Sequence, residues 1–167
     1  MPIVNPIDLQ QSPREVLGAC FKSLNGGLPI HGGWGYTQND ACIIDKNDQL
    51  VNNEMPFDGV AVEYAFVEKR IYIEMIILRP DGEKFSGIEW KLLSQNVISQ
   101  SDRSFDRMVF EITAFKDDDW DALKMEYEGV HGYGHPDFDL ELHNKKRYEK
   151  AISLTREFWF DITSFYG

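Results

Sequence analysis

Val16, Leu17, Cys20, Phe21 and Leu24 recur at intervals of three and four, the spacing of one buried helical face. Ser12-Pro13-Arg14-Glu15 precedes them, with serine at the N-cap, proline at the first helical position and glutamate where a capping box needs it. Asn25-Gly26-Gly27 supplies the stop. The pattern then changes period. Ala41 to Asp45 is a short apolar run closed by a Lys-Asn-Asp turn signal. Val60, Val62, Tyr64 and Phe66 alternate with other residues, and so do Ile71, Ile73, Met75 and Ile77. With Glu68-Lys69-Arg70 as the break, this predicts a hairpin, against the alternative of one helix over residues 62 to 76. After a turn at Pro80-Asp81-Gly82, Ile88, Trp90 and Leu92 alternate, followed by Met108, Phe110, Ile112 and Ala114.

The last third returns to helix. Asp117 or Asp118 is placed to cap a short helix containing Trp120, Leu123 and Tyr127, with Gly129 beyond it. The glycines and proline of VHGYGHPDFD forbid regular structure. A second helix is predicted from about Leu140, with Tyr148, Ala151, Ile152 and Thr155 on one face, and FWFDITSFY as a closing strand. The expectation is one α+β domain over residues 1 to 167. It consists of an antiparallel β-meander of about five strands with an N-terminal helix and two C-terminal helices packed on it.

Charge changes the picture more than composition does. The net charge is −11, and it is unevenly placed. Residues 117 to 141 hold nine acids and only Lys124, whereas residues 142 to 156 hold five bases and one acid. Such a chain repels phosphate backbones and attracts basic proteins or cations, so nucleic-acid binding is not expected. No run approaches the roughly 18 apolar residues of a membrane span, and the N-terminus lacks the basic start of a signal peptide. Cys20 and Cys42 show no metal-site spacing and read as reduced thiols, which points to the cytoplasm.

Candidate chemistry is sparse. HGGWGY, residues 31 to 36, matches neither a phosphate loop nor a dinucleotide fingerprint. Its glycines suit a bend into the next strand. Trp34 and Tyr36, on one side of an extended segment, either cover the core edge or form an aromatic anchor for a partner or small molecule. His131, His135 and His143 fall within thirteen positions among carboxylates, the ligand types of zinc, manganese or iron. Asp45-Lys46-Asn47-Asp48 lacks the glycine and glutamate of a calcium loop. GxSxG is absent, neither cysteine has an activating context, and no catalytic residue can be nominated.

The residues therefore predict a binding protein more than an enzyme. The expected function is that of an acidic cytoplasmic module, such as a bacterial immunity-type or inhibitor protein, masking a basic protein partner. Asp118, Asp119, Asp121, Glu126, Glu128, Asp137 and Asp139 would carry the contact, with Trp34 and Tyr36 as aromatic anchors. The alternatives are a divalent-metal protein or metal-dependent enzyme built on His131, His135 and His143, and a small-molecule binder.

Overall fold

The computed structural model describes residue 7, residues 9–21 and residues 27–167. In chain order these form α1 (Pro13–Cys20), β1 (Ile30–Gly32), a 3-10 turn (Gln38–Asp40), β2 (Cys42–Ile44) and α2 (Gly59–Tyr72). The α2 helix runs on as a π-helix over Ile73–Ile77. Then come β3 (Phe85–Gln100), β4 (Arg103–Lys116), α3 (Asp117–Glu128), α4 (Leu140–Lys150) and β5 (Ile152–Asp161).

The fold is α+β, but its sheet is mixed. The strand order is β1-β2-β5-β4-β3. β3, β4 and β5 form an antiparallel run, whereas β2 joins β5 in parallel. A pure meander is thus corrected. β2 and β5 lie more than 100 positions apart in the chain, and only such a long connection lets two strands run side by side in one direction. No helix among the described residues is long and apolar enough to cross a membrane.

The first helix starts as its residues predict, with Ser12 Oγ accepting from Glu15 N at 3.3 Å. It closes at Cys20, where the Phe21 N–H reaches Leu17 O. The predicted stop at Asn25 and Gly26, with Leu24, lies outside the described residues. HGGWGY turns a corner and then docks on β5. Gly35 has φ +80, and a Cβ there would meet Trp159 O at 2.8 Å. Its carbonyl accepts from Trp159 N at 2.8 Å. Trp34 is buried, with its indole N–H on Gln11 O at 3.3 Å, and Tyr36 is half-buried. Both rings face inward.

The predicted hairpin over residues 60 to 77 is instead one helix. Its buried positions are Gly59, Glu63, Phe66, Val67, Arg70 and Ile71, a helical spacing in which two of the six are ionisable. Asp58 caps it through Ala61 N at 3.0 Å. Between α2 and the sheet, Phe66 meets Phe160 and Phe110 meets Phe158, both edge to face.

Two buried polar clusters sit in this layer. Arg70, fully buried, donates to Trp34 O at 2.9 Å and to Glu157 O at 2.6 Å. Its guanidinium lies 4.0 Å from the Tyr36 ring centroid and 3.5 Å from that of Phe158. Glu74, in the π-helix, stands 3.5 Å from Arg70 Nε, accepts from Arg156 Nε at 3.0 Å and also accepts from the Tyr36 hydroxyl. Burial raises the Tyr36 pKa, and burial lowers that of Arg70. The second cluster pairs Glu63 of α2 with Asp106 of β4, whose Oδ2 accepts from Gln95 Nε2 at 2.5 Å. Burial, helped by Asp106, pushes the Glu63 carboxyl up to about 9.

Two expectations near the end of the chain are also corrected. Asp117 does not cap α3. It is the first helical residue, and its Oδ1 accepts from Ser86 Oγ at 2.5 Å, while Lys116 holds the cap position without a side-chain bond. The last helix does not reach Thr155. Ala151 closes it, and Ile152 begins β5, where residues 152 to 161 pair with β4. Ile152 is buried beside Ala114 of β4, and Phe158 and Phe160 of the same strand are fully buried, so pairing there buries apolar area that α4 does not offer.

Candidate functional site, the α3–α4 hairpin

α3 and α4 form an antiparallel pair set between β4 and β5. Their sequence is polar almost all round, so each buries a single side chain, Leu123 in α3 and His143 in α4. Trp120 anchors α3 to the sheet by packing on Phe115 at 5.3 Å between ring centroids. It fits because residue 87 is glycine, where a Cβ would lie 2.5 Å from the indole.

His143 pins the two helices together. Its Nδ1 is 3.1 Å from Glu126 Oε1, and its ring leans on Tyr127 and Phe138 at 5.3 and 5.5 Å. Lys146 Nζ donates to Glu126 Oε2 at 2.9 Å. The Lys146 bond, then that of His143, holds the Glu126 carboxyl below its ordinary range. Replacing His143 by Ala should cost about 2–3 kcal/mol, the loss of one charge-assisted bond and of a buried ring. Hydrogen exchange would locate that loss in α3 and α4, with the amides of β4 and β5 unaffected.

The basic stretch of α4 therefore neutralises part of the acidity of α3. Asp119 lies 3.8 Å from Lys150, and Asp139 is engaged as the N-cap of α4 through Leu142 N at 3.0 Å. What stays open is narrower than the sequence predicted. Asp118, Asp121 and Glu128 are exposed and form no ion pair among the described residues. With Met125, 75 % exposed, they follow a three-four-three spacing down one side of α3.

Exposed apolar residues lie close by, among them Tyr148, which the sequence spacing predicts on a packed helix face. Val130, Tyr133, Leu142 and Tyr148 are all exposed on the loop and α4. Seven of the sixteen exposed large hydrophobic side chains among the described residues fall between positions 125 and 148. Within α4 itself, Leu140–Lys150, only His143 is buried, so Leu142 and Tyr148 have no core to join. A cleft of about 510 Å³ opens between the helices, with Trp120, Leu123, Tyr127 and Leu140 as its apolar side and Lys124 and Arg147 among its charged lining.

The connecting loop brings two of the predicted metal-binding histidines together. The His131 and His135 rings are 4.3 Å apart between centroids, with Asp137 beside both. His143 is not part of this group, because its ring is committed to Glu126. A second cluster gathers His31, Asp45 and Asp48, with His31 Nε2 3.0 Å from Asp48 Oδ2. There a cation is already resident. The Arg14 guanidinium bonds both Asp48 oxygens, and that bonding holds the Asp48 carboxyl below its ordinary range. Cys20 is exposed, Cys42 is buried, and both are free thiols.

Compared with known proteins, the chain matches no family model, no curated protein and no solved structure.

Proposed function

We propose that the protein is a binding module whose α3–α4 hairpin docks on a basic protein surface, in the manner of an immunity-type or inhibitor protein. The observation that carries this reading is the stripe of Asp118, Asp121, Met125 and Glu128 on α3. Three carboxylates with no ion pair among the described residues flank an exposed apolar side chain there. Acids already satisfied within a fold do not steer a partner, whereas free ones accelerate encounter and fix its orientation. Exposed Tyr133, Leu142 and Tyr148 add the apolar and aromatic area that binding energy requires. Trp34 and Tyr36 face the core and take no part in this proposal.

The test is retention of host proteins on the immobilised chain at low and then high salt, repeated with an Asp118→Asn/Asp121→Asn/Glu128→Gln variant. A basic protein should be held at low salt, released at high salt and bound at least tenfold more weakly by the variant. An Asp45→Asn control, away from the hairpin, should bind normally. Retention indifferent to the triple substitution sinks the proposal.

The α3–α4 cleft favours a second reading, a small ligand with an aromatic body and an acidic group. Its volume lies within the usual range of ligand pockets, and Lys124 and Arg147 border aromatic walls. Ligand-dependent quenching of Trp120 fluorescence, abolished in Arg147→Ala, would support it.

A further inference from the structure

The connection between α3 and α4 is built more tightly than its glycine content suggests. Successive turns close it, with Gly132 N on Gly129 O, His135 N on Gly132 O and Phe138 N on His135 O, all between 2.9 and 3.0 Å. Gly134 has φ +92, a conformation that favours glycine, and a Cβ on Gly132 would lie 2.2 Å from Tyr127 O. Tyr133, itself largely exposed, stacks on Tyr127 at 5.0 Å and 13°, with Phe138 against both rings. An aromatic base thus fixes a loop whose outer face carries His131, His135 and Asp137.

From this arrangement we infer that His131, His135 and Asp137 form a site for a borderline divalent metal, with zinc the best match. The three residues offer ligand atoms that all lie within 4.8 Å of one another. His131 Nδ1 is 3.9 Å and His135 Nδ1 3.8 Å from Asp137 Oδ2. Zinc–ligand bonds of about 2.0–2.2 Å place tetrahedral ligands about 3.4 Å apart, so each histidine must close on Asp137 by about half an ångström, and the two imidazole ligand atoms, within 4.8 Å of one another, must reach the same separation. Exposed side chains can move that far without disturbing the base, and His131 and Asp137 are 71 % and 79 % exposed. Two imidazoles and one carboxylate are a ligand set that zinc favours over calcium or magnesium, which prefer all-oxygen shells. On a helix, histidines four positions apart would share one face, but Gly132, Gly134 and Pro136 forbid a helix here. Here a chain of tight turns does the same work. At His135, Nδ1 accepts the Asp137 N–H at 3.1 Å, so a metal must either displace that bond or use Nε2. Three protein ligands leave the fourth position open to water.

This inference is independent of the docking proposal, because it is read on the isolated chain. The experiment is zinc titration of untagged, chelator-treated protein by competition with a chromophoric chelator, followed by cobalt(II) substitution. One equivalent should bind with a micromolar dissociation constant, and cobalt should give tetrahedral visible absorption. His131→Ala, His135→Ala and Asp137→Asn should each weaken binding at least tenfold with unchanged far-ultraviolet circular dichroism, and His31→Ala should leave it within threefold. No saturable binding below about 100 μM zinc overturns the inference. So does a loss in His31→Ala as large as that in His135→Ala.

Discussion

Replacing Arg70 by Met should remove about 3–5 kcal/mol of stability, a large share of what holds a domain of this size folded. Methionine keeps much of the volume, so the loss is chiefly polar. The buried Trp34 carbonyl and the part-buried Glu157 carbonyl lose their donors at once. Glu74 keeps Arg156 and the Tyr36 hydroxyl but loses the buried charge beside it. The two rings that sandwich the guanidinium lose a cation held 3.5 and 4.0 Å from their centroids. Arg70→Lys should fall between the two, since one ammonium cannot reproduce a planar fork that spans two carbonyls. Urea unfolding measures both substitutions. A loss under about 1 kcal/mol for Arg70→Met would mean that the carbonyls find other donors.

The second large effect is on pH dependence. Folding raises the Glu63 pKa from its ordinary 4.5 to about 9, chiefly by burial and then by Asp106. The folded state therefore holds a proton that the unfolded chain releases near pH 4.5. The stability linked to that proton is fully present below pH 4.5 and is lost steadily as pH rises towards 9. The slope can reach about 1.4 kcal/mol per pH unit. Glu63 Oε2 and Asp106 Oδ1 are buried with no hydrogen-bond partner among the described residues, and a proton held on Glu63 at neutral pH would let it donate to Asp106. Glu63→Gln replaces that donor with an amide that does not titrate. The variant should match the wild type near pH 4.5 and exceed it by about 2–4 kcal/mol at pH 8. Asp48, Glu126, Glu157 and Asp161 have lowered pKa values; the stability they contribute is fully present above their unfolded values and is lost only as pH falls below them, so they do not blur this window. Urea midpoints taken across pH 4.5 to 9 decide it, and parallel curves for the two proteins would refute it.

These two residues also explain what the sequence concealed. Glu63 and Arg70 lie on the inner face of α2, so the hydrophobic positions alone give the wrong period. Val60 and Tyr64, which completed the apparent alternation, are exposed at 54 % and 42 %. Where the buried face is apolar, as for β4 with Met108, Phe110, Ile112 and Ala114, the period was read correctly. The parallel step between β2 and β5 left no local trace, since pairing of distant strands is written in neither strand. At the hairpin the acidic excess was plain, but which acids are spent on Lys146, Lys150 and the α4 cap depends on how α4 folds back. The histidine loop was half legible. Residue types and spacing marked His131 and His135, while only the fold assigns His143 to the helix interface.

Ala114 of β4 and Ile152 of β5 are Cα partners in the sheet, so the chain leaves and re-enters it at adjacent positions. Everything between them, the whole α3–α4 hairpin, occupies the place that a short connection between neighbouring antiparallel strands would otherwise fill. The strands are already in register without it, and the core built on α2 does not depend on its length or composition. Over evolutionary time such an insertion can drift, lengthen or be exchanged as a unit while the scaffold stays the same. Under the docking proposal, the part that meets a partner is then free to follow that partner's changes.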